Sequence, residues 1–400
     1  MNWVRVASSA QVSAQPLAVT VAGAPLVLLR PEPGGPVVAF ADRCPHRLVP
    51  LSAGTFAGGV LRCSYHGWEF DPGGACVAIP SNPPGTAVPP RAALPEGPAV
   101  REDAGEVWVR REDVTAPAPV GVLSNVDPGL ARAWHPVALL SELPCRATLL
   151  GEELDVSVAA DGVRVEPAPH ATAVRWGLVW VAPAAPLVAL FDDPDTEDAA
   201  YVGAWLPPAR TNVSAGIVAD NFLDVAHFPF VHAGTFGAGE ERVVAPYTMD
   251  TGDDGCRSVQ EQWFDNPEDP GVAAGIRPAR QRRRATYVHR APFQLMLRLE
   301  ELDAGAVKTI LFFAQPETLT STRIYTKMLL HGIGGVADPG PDVVAREVAF
   351  EEAVLAEDLA LQATMTLPGL PLRHRDELHV RADRLGVALR RTLARYRTTP

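Results

Sequence analysis

The chain of 400 residues lacks several features by which common functional classes are recognised. Lysine is nearly missing, since Lys308 and Lys327 are the whole complement, and the formal net charge of −12 argues against nucleic acid as a partner. A long apolar run is missing as well, because the longest, near residues 177–191, is interrupted by Pro183 and Pro186 and is too short to span a bilayer. We therefore expect neither a nucleic-acid partner nor a membrane span.

Cysteine is also scarce, and the first residues show no secretory pattern. Five cysteines are present, and an odd number without a leader predicts reduced thiols in a cytoplasmic protein instead of a disulfide framework. A glycine-rich nucleotide loop is missing too, because the glycines within 332–335 do not follow a strand and open a helix. The protein is therefore expected to depend on an outside reductase for any electrons taken from NAD(P)H.

The length and the apolar fraction of 47% predict two domains with sizeable cores. Short apolar runs between proline and glycine turns indicate an all-β domain over residues 1–114. A proline-rich stretch predicts a linker over 115–128, followed by a second domain over 129–400. That domain begins with strand-like segments and ends in two helical patterns, at 343–365 and 377–396.

Two short boxes combine cysteine with histidine. Cys44 and His46 form a C-x-H box, and Cys63 and His66 form a C-x2-H box after sixteen intervening residues. Two thiolates and two imidazoles are the ligand set of a Rieske [2Fe–2S] centre. The alternative is a zinc site, but zinc modules of this composition usually pair cysteine with cysteine and histidine with histidine.

A third pattern, D-x2-H-x4-H, contains Asp224, His227 and His232. Two imidazoles and one carboxylate can form a facial triad for non-haem Fe(II), with positions left open for O2 and substrate. On an unbroken helix the two histidines would lie about 140° apart, so Pro229 is expected to break the helix and let them meet. The alternative is a pair of ordinary histidines on the surface or in the core.

The two boxes, together with the Asn-Phe-Leu-Asp sequence at 221–224, resemble those of the Rieske non-haem iron oxygenases, and the similarity extends over essentially the whole chain. The resemblance implies an α+β fold, with a Rieske β-sandwich followed by a helix-grip catalytic domain whose antiparallel sheet is covered by helices. It implies a [2Fe–2S] cluster and one mononuclear Fe(II). The cluster ligands carried over are Cys44, His46, Cys63 and His66, and the iron ligands include His227 and His232.

Asp224 has a separate role in this resemblance. In the family, the matching carboxylate bridges an iron-ligand histidine and a cluster histidine of a neighbouring subunit, here His227 and His66. We expect Asp224 to lie on the same side of a helix as His227. The cluster and the iron of one chain are too far apart in the family, so the resemblance implies a homotrimer with Asp224 as its inter-subunit electron-transfer bridge.

The remaining iron ligand is expected from the helix at 343–365. Asp358 has apolar neighbours three and four positions away, and a carboxylate on a flank that faces the core is costly unless it is ligated or paired. The family takes its acid from a late helix, usually from an acid-Asp pair, which Glu357 and Asp358 match. Asp358 is therefore the predicted ligand, with Glu352 and Glu357 as alternatives.

The implied function is that of an oxygenase component resembling the vanillate demethylase-like homotrimeric monooxygenases. Such a protein uses O2 and electrons from a ferredoxin and/or flavin reductase to hydroxylate or oxidatively demethylate a small organic substrate, here expected to be aromatic or natural-product-like. One alternative is an aromatic-ring cis-dihydroxylating dioxygenase, and another is a Rieske electron carrier with an inactive mononuclear site. Arg43, Arg47 and Arg62 flank the boxes and are either solvated loop residues or a docking site for an acidic ferredoxin.

Overall fold

A computed structural model describes most of the chain, namely residues 2–114, 121–160, 162–239, 241–266, 269–335 and 338–397. We call residues 2–114 the N-terminal unit and residues 121–397 the C-terminal unit. The predicted linker at 115–128 lies partly outside the described residues, so the domain division stays a prediction. Val122 and Leu123 already pair with residues 370–371, late in the chain.

The N-terminal unit consists of short antiparallel strands arranged in three sheets. The sheets have the orders β1-β10-β9, β2-β3-β4 and β5-β6-β7-β8, with β1 Trp3–Ser8, β2 Leu17–Val21, β3 Ala24–Leu29, β4 Val38–Ala41, β5 Thr55–Ala57, β6 Val60–Arg62, β7 Glu69–Phe70, β8 Cys76–Ala78, β9 Val100–Asp103 and β10 Glu106–Arg110. Strand β10 alternates in burial, with Val107 and Val109 directed inward, as expected for a strand with one face on a core.

The C-terminal unit is built around an eight-stranded antiparallel sheet of order β18-β25-β24-β23-β22-β21-β20, with β19 also paired to β25. Two three-stranded sheets, β12-β17-β16 and β13-β14-β15, and the pair β11-β26 accompany it. The strands are β11 Val122–Leu123, β12 His135–Leu139, β13 Cys145–Leu149, β14 Glu152–Ala159, β15 Gly162–Glu166, β16 Ala171–Arg175, β17 Leu178–Ala182, β18 Val202–Trp205, β19 Ala209–Thr211, β20 Thr248–Gly252, β21 Gly255–Asp265, β22 Arg280–Arg290, β23 Gln294–Glu301, β24 Ala306–Thr318, β25 Ser321–His331 and β26 Leu370–Pro371.

Five helical segments complete the described part of this unit: α1 Ala215–Phe222, α2 Phe228–Val231, α3 Pro270–Ala273, α4 Pro341–Gln362 and α5 Arg384–Leu393. Helix α1 begins after Ser214, whose hydroxyl accepts a hydrogen bond from the Ile217 amide. Apolar residues of α1 and α5 share one core with the inner face of the large sheet. The predicted α+β class is confirmed, with an all-β unit followed by an antiparallel sheet covered by helices.

One predicted helix has different bounds in the structure. The pattern at 377–396 predicts a single helix, but α5 begins only at Arg384. The residues before it run alongside the first cysteine-histidine box, where the Leu378 amide donates to the Pro45 carbonyl at 2.9 Å. The first third of the predicted helix is therefore wrong, because tertiary contacts with the N-terminal unit take up this segment. No helix in the described ranges is both long and apolar enough to cross a lipid bilayer.

Candidate functional site

Each cysteine-histidine box lies in a tight turn within the N-terminal unit. The Leu48 amide donates to the Cys44 carbonyl at 3.0 Å, and the Gly67 amide donates to the Cys63 carbonyl at 3.1 Å. Both cysteines are buried. The hydrogen bond from the Cys44 thiol lowers the pKa of Cys63 to about 7, which favours the thiolate that a metal centre requires.

The imidazoles of the two boxes face each other. The Nδ1 atoms of His46 and His66 are 3.1 Å apart, while each Nε2 atom is hydrogen-bonded to a carboxylate. Because each Nε2–H donates outward, both Nδ1 lone pairs point into the same space, which favours a cation between them. The Ser64 hydroxyl and the Trp68 indole N–H are buried near the second box without a protein partner. Two thiols, two converging imidazoles and unused donors fit a [2Fe–2S] cluster.

The second box also touches the segment that carries the D-x2-H-x4-H pattern. Gly67 has φ of 64°, and a Cβ atom there would lie 2.1 Å from the Phe230 ring. Glycine is therefore required both by the left-handed backbone and by the close approach of α2. The close approach brings the N-terminal unit against the residues between His227 and His232.

The predicted iron ligands converge on one point. His227 directly precedes α2 and His232 directly follows it, with Pro229 in the first turn, so a single short turn separates the two histidines as predicted. Their Nε2 atoms are 3.0 Å apart, and Asp358 Oδ1 on α4 lies 3.4 Å and 3.6 Å from them. Ligand atoms of the three residues lie within 4.8 Å of one another.

The outer nitrogen of each of these histidines has a fixed acceptor. His227 Nδ1 donates to the Asp224 carbonyl at 2.6 Å, and His232 Nδ1 donates to Glu357 Oε2 at 3.0 Å. Both Nε2 lone pairs therefore point toward Asp358, and this donor set fits a mononuclear Fe(II) with two imidazoles and one carboxylate. Of the two alternative acids, Glu357 lies behind His232 and Glu352 is exposed on α4.

Asp224 connects the two sites, but differently from the prediction. Its side chain accepts from His66 Nε2 at 2.7 Å, whereas its backbone carbonyl, not its carboxylate, accepts from His227. Asp224 follows α1 in a loop, so the expected shared helix face is wrong. His66 and Asp224 meet here within one chain, and the contact between neighbouring subunits stays a prediction.

The electrostatics of Asp224 favour its ionised form. Burial alone would raise the pKa of this carboxyl group, but the attraction and hydrogen bond from His66, together with the charge of Arg47, lower it below its usual value. An anionic acceptor is therefore present on the imidazole that faces the C-terminal unit. A carboxylate in this position fixes the orientation of the ring and increases the basicity of its inner nitrogen.

Arg47 lies between the units and is not a docking residue. Its guanidinium group is buried, and carboxylate oxygens lie 3.3–3.9 Å away, from Asp220, Asp224, Glu377 and Asp383. Arg62 is paired with Glu69 at 2.7 Å in its own sheet. Of the three arginines considered for a ferredoxin site, Arg47 loses that interpretation, while the partly exposed Arg43 and Arg62 keep it. Arg47 follows the first cysteine-histidine box in the sequence, which suggested an exposed loop residue. Its acidic partners are distant in the sequence, so its burial could not be predicted from that position.

A second connection between the units escaped the sequence analysis. The Asn221 side-chain amide donates to the Tyr65 hydroxyl and to Asp358 Oδ1, both at 3.2 Å, and its oxygen accepts from Gln362 at 2.8 Å. Tyr65 directly precedes His66, so the box is tied to the predicted carboxylate ligand. Asn221 belongs to the Asn-Phe-Leu-Asp sequence, which was the available signal for its importance.

Two family models match the chain. A model described as the Rieske [2Fe–2S] domain matches residues 2–96, and a model described as the vanillate O-demethylase oxygenase C-terminal domain matches residues 211–399. The first match contains both cysteine-histidine boxes. The second contains the D-x2-H-x4-H pattern and α4.

Several known proteins are similar to this chain. A probable methylxanthine N7-demethylase, NdmC, of Pseudomonas sp. (strain TJI-51) is 30% identical over 283 residues, which is 65% of this chain and 92% of that protein. The oxygenase component of dicamba O-demethylase of Stenotrophomonas maltophilia is 35% identical over 38% of this chain and 43% of its own length. Methylxanthine N1-demethylase NdmA of Pseudomonas putida is 23% identical over 94% of this chain and 82% of its own length.

Proposed function

Because the chain belongs to the Rieske non-haem iron oxygenases, we propose that it oxidatively demethylates a small organic substrate, using O2 and electrons supplied by another protein. The observation that carries the proposal is the hydrogen-bonded path from His66 through Asp224 to His227, beside a complete set of two imidazoles and one carboxylate. An electron carrier would have no use for that set. The three relatives described above are all demethylases by name, which favours demethylation over ring dihydroxylation.

The residue assignments follow from the donor atoms. We propose that Cys44, His46, Cys63 and His66 hold the cluster and that His227, His232 and Asp358 hold the mononuclear iron. When bound, the cluster supplies single electrons and the iron supplies the means to activate O2. Hydroxylation of an O- or N-methyl carbon gives a product that releases formaldehyde. The protein orients the four imidazoles and excludes water from the buried path between His66 and His227.

The surroundings of the mononuclear site support an apolar substrate. The Phe228 ring lies edge-on to His227 at 4.9 Å, and the Phe236 ring stacks on His232 at 5.0 Å. Phe222, Leu355 and Leu359, which are close in sequence to the predicted ligands, pack against the same hydrophobic core as Phe228. An aromatic methyl ether or N-methyl compound fits such walls better than a charged metabolite does.

The partners proposed are an electron donor and further copies of the chain. A ferredoxin and/or flavin reductase would supply electrons, and Arg43 offers a positive charge beside Cys44 for an acidic donor. We also propose the homotrimer that the resemblance implies. The faces that meet between the two units could meet equally well between neighbouring chains, because exchange of an identical unit needs no new complementary surface.

The proposed function is tested first by counting metals. Anaerobically purified protein is expected to contain about three irons and two acid-labile sulfides per chain, with a Rieske EPR signal after dithionite. His227→Ala is expected to keep the signal and the sulfide while the iron falls to about two and turnover disappears. Formaldehyde released from a panel of aryl methyl ethers and N-methyl heterocycles then identifies the reaction. A cis-diol product would favour the dioxygenase, and two irons in the reconstituted wild-type protein would favour the electron carrier.

Glu357 provides a second test of the iron assignment. It accepts from His232 Nδ1 and Thr235, and from the Gly234 amide. Replacing it with glutamine removes the anionic acceptor behind His232, so we expect the affinity for Fe(II) to fall about 10- to 100-fold while the cluster spectrum is unchanged. The mononuclear iron is first removed with a chelator that leaves the cluster in place. The affinity for Fe(II) is then measured by titrating Fe(II) back into the protein.

The matched control for Glu357→Gln is Glu352→Gln, since Glu352 is an exposed acid on the same helix. We expect this control to bind Fe(II) as the wild-type protein does. Equal losses of affinity in the two variants would mean that any loss of charge on α4 suffices, and the proposed role of Glu357 would then be wrong.

A further inference from the structure

A second buried carboxylate faces the other histidine of the cluster boxes. Both oxygens of Asp383 lie 3.0 Å from His46 Nε2, and the Asp383 side chain is fully buried. Asp383 comes from the segment just before α5, at the far end of the chain. His46 and His66 thus each donate to a separate carboxylate of the C-terminal unit, and the resemblance accounted only for the one at Asp224.

The position of Asp383 is well determined by its own neighbours. The Val380 amide donates to Oδ2 at 2.5 Å, and Arg47 Nη2 lies 3.3 Å from Oδ1. One face of the His46 ring is stacked on the Trp68 ring, with an angle of 10° between the two planes. The ring is therefore held by an aromatic stack and by one anionic acceptor, which leaves Nδ1 directed toward its counterpart on His66.

Contact with Asp383 is separate from the path to the mononuclear site. Asp224 reaches His227 through its own carbonyl group, whereas Asp383 makes no hydrogen bond with His227, His232 or Asp358 among the residues that the structure describes. A second path for the electron is therefore not its function. What Asp383 adds is orientation of His46 and a negative charge next to a ligand of the cluster.

We propose that Asp383 is a positioning residue that fixes His46 for cluster binding and lowers the reduction potential of the cluster. The proposal rests on the proposed function, since it requires a Rieske cluster at the two boxes. Reduction adds an electron to the cluster, so a nearby carboxylate disfavours the reduced form more than the oxidised form. Hydrogen bonding and net charge around the ligands are the means by which proteins adjust the potentials of such clusters.

Asp383→Asn removes the charge and keeps the acceptor for Val380 and His46. The remaining amide oxygen, placed at the position of Oδ2, still accepts from both, whereas the amide nitrogen replaces Oδ1 and loses the contact with Arg47 Nη2. In the holoenzyme at fixed pH, we expect the midpoint potential of the cluster to shift upward. The potential is measured by dye-mediated titration, followed by visible circular dichroism and EPR.

The matched control is Glu377→Gln, because Glu377 is a buried acid in the same ion network that pairs with Arg390 at 2.8 Å. Among the described residues its side chain is paired with arginines and not with His46 or His66. We expect a smaller shift of the midpoint potential in this control. Asp383→Glu keeps the charge and is expected to keep a potential close to that of the wild-type protein, which also provides the readout if the asparagine variant does not fold.

Two results would overturn the inference. One is a cluster in Asp383→Asn with an unchanged midpoint potential, or with no larger a shift than in Glu377→Gln. The other is a rise in Asp383→Glu as large as that expected for asparagine. A wild-type protein without any Rieske signal would instead overturn the proposed function, so the two failures are distinguishable.

Discussion

Replacement of Asp224 by asparagine is expected to lower turnover about 10- to 100-fold while both metal sites remain loaded. The wild-type carboxylate accepts from two donors at once, since Oδ2 accepts from His66 and Oδ1 accepts from the Ala226 amide at 2.9 Å. An amide has a single oxygen, so one donor must face an NH2 group that cannot accept. Either the loop that carries His227 or the orientation of His66 is disturbed, and the anionic acceptor is lost in both cases.

The measurement separates electron transfer from metal binding. Iron and sulfide contents are determined first, and the reduced protein is then mixed with O2 and substrate while cluster reoxidation is followed by stopped-flow absorbance. Slow reoxidation at full metal content is the expected result. Asp42→Asn serves as the control, because Asp42 is also buried and also accepts two hydrogen bonds, but both come from Ser52, within the N-terminal unit. Wild-type reoxidation in the Asp224 variant would contradict the proposed bridge.

The parts of the site that could be predicted are those in which function requires a fixed local spacing. Thiols and imidazoles separated by one or two residues fall within single tight turns, so the two boxes could be recognised from the sequence before the fold was known. The break at Pro229 was equally local, because proline cannot continue a helix from the preceding turn. The pairing of Glu357 and Asp358 favoured Asp358 as the acid on α4, although separating it from Glu352 and Glu357 needed the positions of His227 and His232.

The parts that could not be predicted depend on contacts between distant segments. Arg47 meets acids that lie more than 170 positions later in the chain, and no pattern around it indicates burial. The residues around Asp383 alternate arginine with acid and apolar residues, which is typical of an exposed helix. Their place at the interface with the cluster boxes depends on the tertiary contact between Leu378 and Pro45. Tertiary contacts decide such segments, because their local preferences are weak.

Mixed assemblies of two inactive variants are expected to regain about one third of the wild-type activity per chain if the functional contact forms between neighbours in a ring of three. Cys63→Ala removes a cluster ligand and His227→Ala removes an iron ligand, so each chain alone lacks one centre. In any ring that contains both variants, one of the three junctions joins an intact cluster to an intact iron site. The chains are co-expressed with different tags, and only assemblies that retain both tags are assayed.

The opposite result has an equally definite meaning. In the structure, His66 meets Asp224 of its own chain, with Tyr65 and Asn221 beside them. If this arrangement persists in the working enzyme, every chain of a mixed assembly carries one defective centre, and no activity returns. Each variant purified alone gives the baseline, and the mass of the mixed assembly shows whether a trimer has formed. If a trimer forms but no activity is recovered, the proposed homotrimer stands and the proposed contact between neighbouring chains is wrong. Electron transfer would then take place within each chain.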